Sequence, residues 1–219
     1  MNMANRVKFT GLTLFRGNSF MNLYDRSRKL YYRKMAVREE ALYIDCKKAG
    51  LAIRHPLELA AFRFDIRVKY LYGRTLLKGE VNRSKALYRR HLEAWNDFSE
   101  HNGDNPSEKV GFERFDSDYQ KLLHDIGNNN FDWNFSPVPI VDGYPVNGAH
   151  RIAACLCHKI MVPCQYQNYE GRKIQVFNEE FFEKLVKIDR AYIEDVNKLY
   201  EEELMEHYNM SLRTFETAS

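Results

Sequence analysis

An α+β fold is what the pattern of this chain predicts: a small mixed sheet, a helix-rich N-terminal extension and a long C-terminal helix. Three observations lead there. Two short apolar runs flank Asp142-Gly143, a dipeptide suited to a tight hairpin. Tyr119, Leu122, Leu123 and Ile126 recur at helical spacing, as do apolar residues in later segments. Residues 62–70 instead alternate strictly, Phe62, Phe64, Ile66, Val68 and Tyr70 against Arg63, Asp65, Arg67 and Lys69, which predicts a half-buried strand.

Length and composition narrow the class. With 219 residues the chain can bury one substantial core, or a core with an accessory lobe. No apolar run reaches the ~18 residues of a membrane span, and the first residues lack the apolar core of a secretory signal, so the expected location is cytoplasmic. Cys46, Cys155, Cys157 and Cys164 have no metal-ligand spacing and read as reduced, buried thiols. Charge is uneven: residues 1–100 hold 21 Lys and Arg against 10 Asp and Glu, residues 101–219 only 12 against 20. A basic half suits nucleic acid, an anionic membrane surface or a phosphorylated substrate; two halves that neutralise each other explain it equally.

In chain order, residues 6–16 suggest short strands broken at Gly11, and residues 25–48 a basic amphipathic helix. Residues 56–61 favour helix, and the row Arg63, Arg67 and Lys69 on the strand that follows is expected to face solvent. Gly73 to Gly79 reads as a connection. Residues 84–99 read as a helix with Leu87, Leu92, Trp95 and Phe98 on one side and Arg89, Arg90 and His91 on another. The polar stretch from His101 to Ser107 is the best candidate boundary. An extended segment from Lys109 leads to a helix over 117–126, capped by Asp116 or Ser117 and ended by Gly127. After the hairpin, Ile152, Leu156 and Ile160 support a helix from Gly148, and Met161 to Tyr166 a strand. Residues 179–205 form one long helix capped by Asn178, packed on its own domain or serving a homodimer.

One corner proposes a chemistry. Gly148 lets the backbone approach a phosphate with no Cβ in the way. The first amides of the helix, at Ala149, His150 and Arg151, add partial positive charge. Arg151 offers a fork for phosphate oxygens, His150 a hydrogen bond, and Asn147 a contact to a ribose, a phosphate or a hydrated metal. A plain turn with a surface histidine is the competing reading.

The ordered pieces around this corner resemble the ParB/sulfiredoxin superfamily core over about a quarter of the chain. They are Tyr119-Gln-Lys-Leu-Leu-His-Asp-Ile-Gly, then Val138-Pro-Ile-Val, then Val146-Asn-Gly-Ala-His-Arg-Ile-Ala-Ala. The resemblance implies a ParB/sulfiredoxin-like nucleotide-binding core over 109–177. Residues 1–108 would then be a basic, mostly helical extension and substrate lobe, and 178–219 a C-terminal amphipathic helix and tail. Its branches differ. Sulfiredoxins carry a cysteine where this chain has Ala149, so their chemistry is disfavoured. Chromosome-partition ParB proteins carry Gly-Glu-Arg-Arg and a helix-turn-helix domain, for which the 54 residues after Gln165 leave little room.

The branch most similar is that of ParB-like kinases with Asp-Gly-His-His-Arg, although Asn147 and Ala149 depart from that motif. It implies ATP, another nucleoside triphosphate or ADP, with Mg2+, held by Asn147, Gly148, Ala149, His150 and Arg151. Glu113, with Asp116 in reserve, occupies the place of the base that activates an acceptor hydroxyl, and His150 joins the catalytic set. The implied function is phosphoryl transfer to a small molecule, sugar or glycan end. The alternative is a nucleotide-dependent module that engages nucleic acid through the basic half.

Overall fold

The computed structural model describes residues 50–80, 82–100, 109–168 and 175–208. Every described residue belongs to one compact unit. The expected strands at 6–16, the basic helix at 25–48, Cys46 and the loop from His101 to Ser107 lie outside the described residues. The fold is α+β.

The sheet is small and mixed, with the order β1-β6-β4-β5. Strands β4 (Val138–Val141) and β5 (Tyr144–Pro145) form the expected hairpin. Asp142 and Gly143 both have positive φ, 51° and 86°, as a type I′ turn demands. From β5 the chain enters α5 (Ala149–His158) and returns as β6 (Val162–Tyr166), parallel to β4. The far edge is β1 (Ala52–Arg54), antiparallel to β6, with α1 (Pro56–Ala60) directly after it. Residues from both sides of position 108 therefore share one sheet and one core, which replaces the expected division into a 1–108 lobe and a 109–177 core.

The largest correction concerns residues 62–70. They form no strand. Phe64–Lys78 is a helix, α2, whose residues from Phe64 through Gly73 are all buried. A helix enclosed on every side needs no 3.6-residue stripe, so its alternation carried no strand signal. Its charges are paired inside: Asp65 with Arg63 and Lys69 at 2.8 and 2.9 Å, Arg67 with Glu179 at 2.5 Å. Arg63, Arg67 and Lys69 thus face the interior rather than solvent. The expected connection at 73–79 is the second half of this helix, ended by left-handed Gly79.

Gly73 sits mid-helix because a Cβ there would stand 2.7 Å from Tyr119 Oη and 2.8 Å from Cys157 Sγ. Gly73→Ala is expected to destabilise the protein by about 1–3 kcal/mol through overpacking, despite alanine's better helix propensity. Urea denaturation checks this, and an unchanged midpoint would show that the helices separate freely.

Helix α3 (Asn82–Asn96) ends before the expected position 99, and His91, assigned to its polar side, is fully buried. Strands β2 (Ser99–Glu100) and β3 (Lys109–Val110) pair antiparallel. Helix α4 (Phe112–Gly127) starts five residues before the expected 117, with Gly111 as its N-cap, so Asp116 lies within the helix rather than capping it. The single helix expected over 179–205 is two, α6 (Glu179–Lys184) and α7 (Arg190–His207), separated near Lys187, whose φ is 65°. Asn178 caps α6 as expected, and Asp189 caps α7. Tyr192, Ile193, Val196, Tyr200 and Leu204 of α7 are buried against the rest of the chain. Among the described residues no helix is long and apolar enough to cross a membrane.

Candidate functional site

The corner forms where β5 hands over to α5. Gly148 is buried at φ 85°, ψ 25°, a left-handed conformation that favours glycine. A Cβ there would lie 3.1 Å from Arg151 Nη2 and 3.1 Å from Val138 Cγ2. No side chain caps α5, so the amides of its first turn, at Ala149, His150 and Arg151, keep their donors. Asn147 is exposed, and its Oδ1 accepts from the Gly148 amide at 2.6 Å.

Arg151 folds back beneath Gly148. Its Nη1 donates to the Ser136 carbonyl (2.7 Å), the Ser136 hydroxyl (2.9 Å) and the Pro137 carbonyl (2.7 Å). Arg151 has no carboxylate partner among the described residues. Burial lowers its pKa, yet a guanidinium stays charged at any working pH. The corner therefore holds a half-buried positive charge at the mouth of an uncapped helix. Nη1 is committed to the start of β4, so Nη2 and Nε are what remain for a ligand, a narrower fork than the sequence suggested.

His150 turns inward. Its Nε2 lies 2.8 Å from the Tyr88 hydroxyl, and its ring sits 5.0 Å from that of Tyr119. Burial, aided by the charge of Lys69, pushes its pKa well below the ordinary histidine value, so the ring is neutral at pH 7. Tyr88 is in turn stacked on Tyr72 at 4.9 Å and 17°. Tyr72 donates its hydroxyl to Asp116 Oδ1 at 2.5 Å, where Gln120 also donates, while Lys85 binds Asp116 Oδ2 at 2.6 Å. Burial raises the pKa of Asp116, but these three donors outweigh it and hold the carboxyl below its usual range. With both oxygens engaged, Asp116 is a poor proton acceptor and serves to anchor α4 to α2 and α3.

Glu113 is exposed in the first turn of α4. Its neighbour Phe112 packs 6.0 Å from the Tyr88 ring, which links the start of α4 to His150 at the start of α5.

Two groups escaped the sequence reading. Tyr88, on α3, lay outside the recognisable core and gave no local signal. The buried trio Arg63, Asp65 and Lys69 reaches the corner through Arg63 Nη1, which donates to the Pro145 carbonyl at 3.1 Å. Its signal was visible as alternating charges, but was assigned to a solvent face.

No family model matches this chain, and neither a curated protein nor a solved structure matches it. The site's own chemistry must therefore support any functional reading. A cavity of about 320 Å³ lies at the other end of α5, lined by Leu76, Leu77, Leu123, His124 and His158 among others. It shares no residue with the corner and offers no unpaired charge, so the corner is the better candidate. Among the described residues no group of three His, Cys, Asp or Glu side chains could hold a metal ion. Cys155 and Cys157 are buried and their pKa values pushed up by that burial, so neither is a nucleophile at neutral pH.

Proposed function

We propose that this chain is a ParB/sulfiredoxin-like cytoplasmic protein that binds nucleotide phosphates at the Gly148 corner and transfers a phosphoryl group to a hydroxyl of a small molecule, sugar or glycan end. The observation that supports it is Arg151: a half-buried guanidinium that, among the described residues, has no carboxylate partner and stands beside unclaimed amides of Ala149 and His150. A phosphate supplies the missing negative charge. His150 contributes as a neutral hydrogen-bonding group whose Nε2 is held by Tyr88. When the Tyr88 hydroxyl donates, the ring proton resides on Nδ1, for which no hydrogen-bond partner stands among the described residues. Magnesium would arrive on the nucleotide's own phosphates, its usual mode of binding.

Glu113 is the proposed base, because it is exposed and stands near the Phe112–Tyr88–His150 contact. Within the basic half, Arg63, Arg67 and Lys69 are engaged in internal ion pairs and so are not offered to a nucleic acid, and Arg83 and Lys85 are also paired.

Thermal unfolding with ATP, ADP, CTP and GTP, each with magnesium, tests the reading. A nucleotide at about 100 times its Kd stabilises by about 2.7 kcal/mol, and no response to any of the four sinks the proposal. Arg151→Ala should abolish the response. It should also cost about 1–3 kcal/mol without nucleotide, since Ser136 and Pro137 lose a charged donor. Glu113→Ala should keep the response and lose turnover; loss of binding instead would show that Glu113 is not the base.

A further inference from the structure

We propose that Phe135 is the platform on which the base of the nucleotide stacks, an assignment that rests on the phosphate reading of the Gly148 corner. Among the described residues Phe135, at 89% exposed, is the most exposed of the large apolar side chains, and its ring touches no other ring. Its position is nevertheless well held. Asp132 Oδ1 accepts from the amides of Asn134 (3.0 Å) and Phe135 (3.4 Å), and the Asp132 carbonyl accepts from the Ser136 amide (3.2 Å). Two residues earlier, Trp133 is buried with its ring 4.6 Å from that of Phe131, which roots the turn in the protein.

The next residue ties this turn to the corner. Ser136 accepts twice from Arg151, through its carbonyl and its hydroxyl. Adjacent Cα atoms are about 3.8 Å apart, so Phe135 leaves the backbone one residue from the guanidinium that would hold phosphate. An exposed phenyl ring gains little in water, but a purine or pyrimidine face laid on it removes apolar surface from both. The ligand class that needs a phosphate grip and an aromatic face within one short span is a nucleoside di- or triphosphate. Inorganic phosphate or tripolyphosphate would use the corner alone.

Titration calorimetry of the full chain with magnesium–ATP and with magnesium–tripolyphosphate separates the two contributions. Phe135→Ala should weaken ATP binding about tenfold and leave tripolyphosphate unchanged, the size expected of one stacked base. Phe135→Trp should restore ATP binding, and thermal unfolding of both variants without ligand should match the wild type because the side chain is exposed. ATP binding unaffected by Phe135→Ala overturns the platform and leaves the phosphate reading standing. Equal weakening of both ligands overturns it too, because it shows an effect on the corner rather than on the base. Wild-type protein that binds neither ligand overturns the phosphate reading and the platform with it.

Discussion

Asp65→Ala is expected to cost the fold about 3–5 kcal/mol, the loss seen when one partner of a buried ion pair is removed. Asp65 is only 4% exposed, and its two oxygens are fully engaged. Arg63 donates through Nε at 2.9 Å and Nη2 at 2.8 Å, and Lys69 through Nζ at 2.9 Å. Burial alone would raise the carboxyl's pKa, but the Arg63 and Lys69 charges dominate and hold it far below the carboxylate range. One carboxylate thus serves two buried cations. Without it, Arg63 must stay charged in a dry site, and Lys69, whose pKa burial already lowers, is pushed toward its neutral form.

Guanidinium denaturation measures the loss, and Asp195→Ala supplies the control. Asp195 pairs with Arg83, whose side chain is 67% exposed, so that change should cost less than about 1 kcal/mol. A cost for Asp65→Ala no greater than the control would mean that water reaches the trio. The change should also weaken the nucleotide binding proposed for the corner, because Arg63 holds the Pro145 carbonyl just ahead of it.

Acid should unfold the protein through His91. This ring is fully buried, neither nitrogen has a hydrogen-bond partner among the described residues, and it lies 4.9 Å from the Phe182 ring and 6.1 Å from that of Phe64. Burial first, then the Lys69 charge, brings its pKa down from 6.5 to about 3; Asp65 opposes the shift and Arg63 adds to it. An unfolded chain takes up this proton near pH 6.5, the folded one only near 3. Between those values the unfolded state binds more protons, so stability rises with pH across the window. The contribution is complete above about pH 6.5 and is lost as pH falls toward 3, up to about 5 kcal/mol for such a shift.

His207, also brought down to about 3, and His150, pushed well below the ordinary histidine value by burial, contribute in the same window, so the total slope belongs to all three residues. Comparing wild type with His91→Leu isolates one of them. The variant should show a flatter dependence between pH 6.5 and 3, and should lose little stability at pH 7, since two unpartnered nitrogens leave the core. Parallel curves for the two proteins would refute the assignment.

Several elements were legible because they depend on neighbours in sequence. Asp142-Gly143 closes a hairpin because its residues tolerate positive φ, a property of the dipeptide itself. Asn178 caps a helix for the same local reason. The Gly148 corner was legible too, since glycine, histidine and arginine at the start of a helix are set by their spacing.

What stayed hidden depends on residues far away in the chain. Whether residues 62–70 are strand or helix turns on what encloses them, and of the helices packed on them α5 and α7 are distant in sequence. The break near Lys187 divides a continuous apolar pattern that periodicity alone reads as one helix. Asp116 stood in reserve behind Glu113 as a base, and only the fold shows that three donors occupy Asp116 while Glu113 faces solvent.

The sequence by itself therefore determined the α+β class, the hairpin and the glycine at the start of α5, because turns, caps and helix starts are governed by local backbone preferences. Only the tertiary structure decided that the first two-thirds of α2 is buried, that His150 is gripped by Tyr88 and that Arg151 stands without a carboxylate among the described residues. The physical reason is burial. Desolvation and partner choice set the state of every charged group here, and both are properties of the assembled core rather than of any one segment.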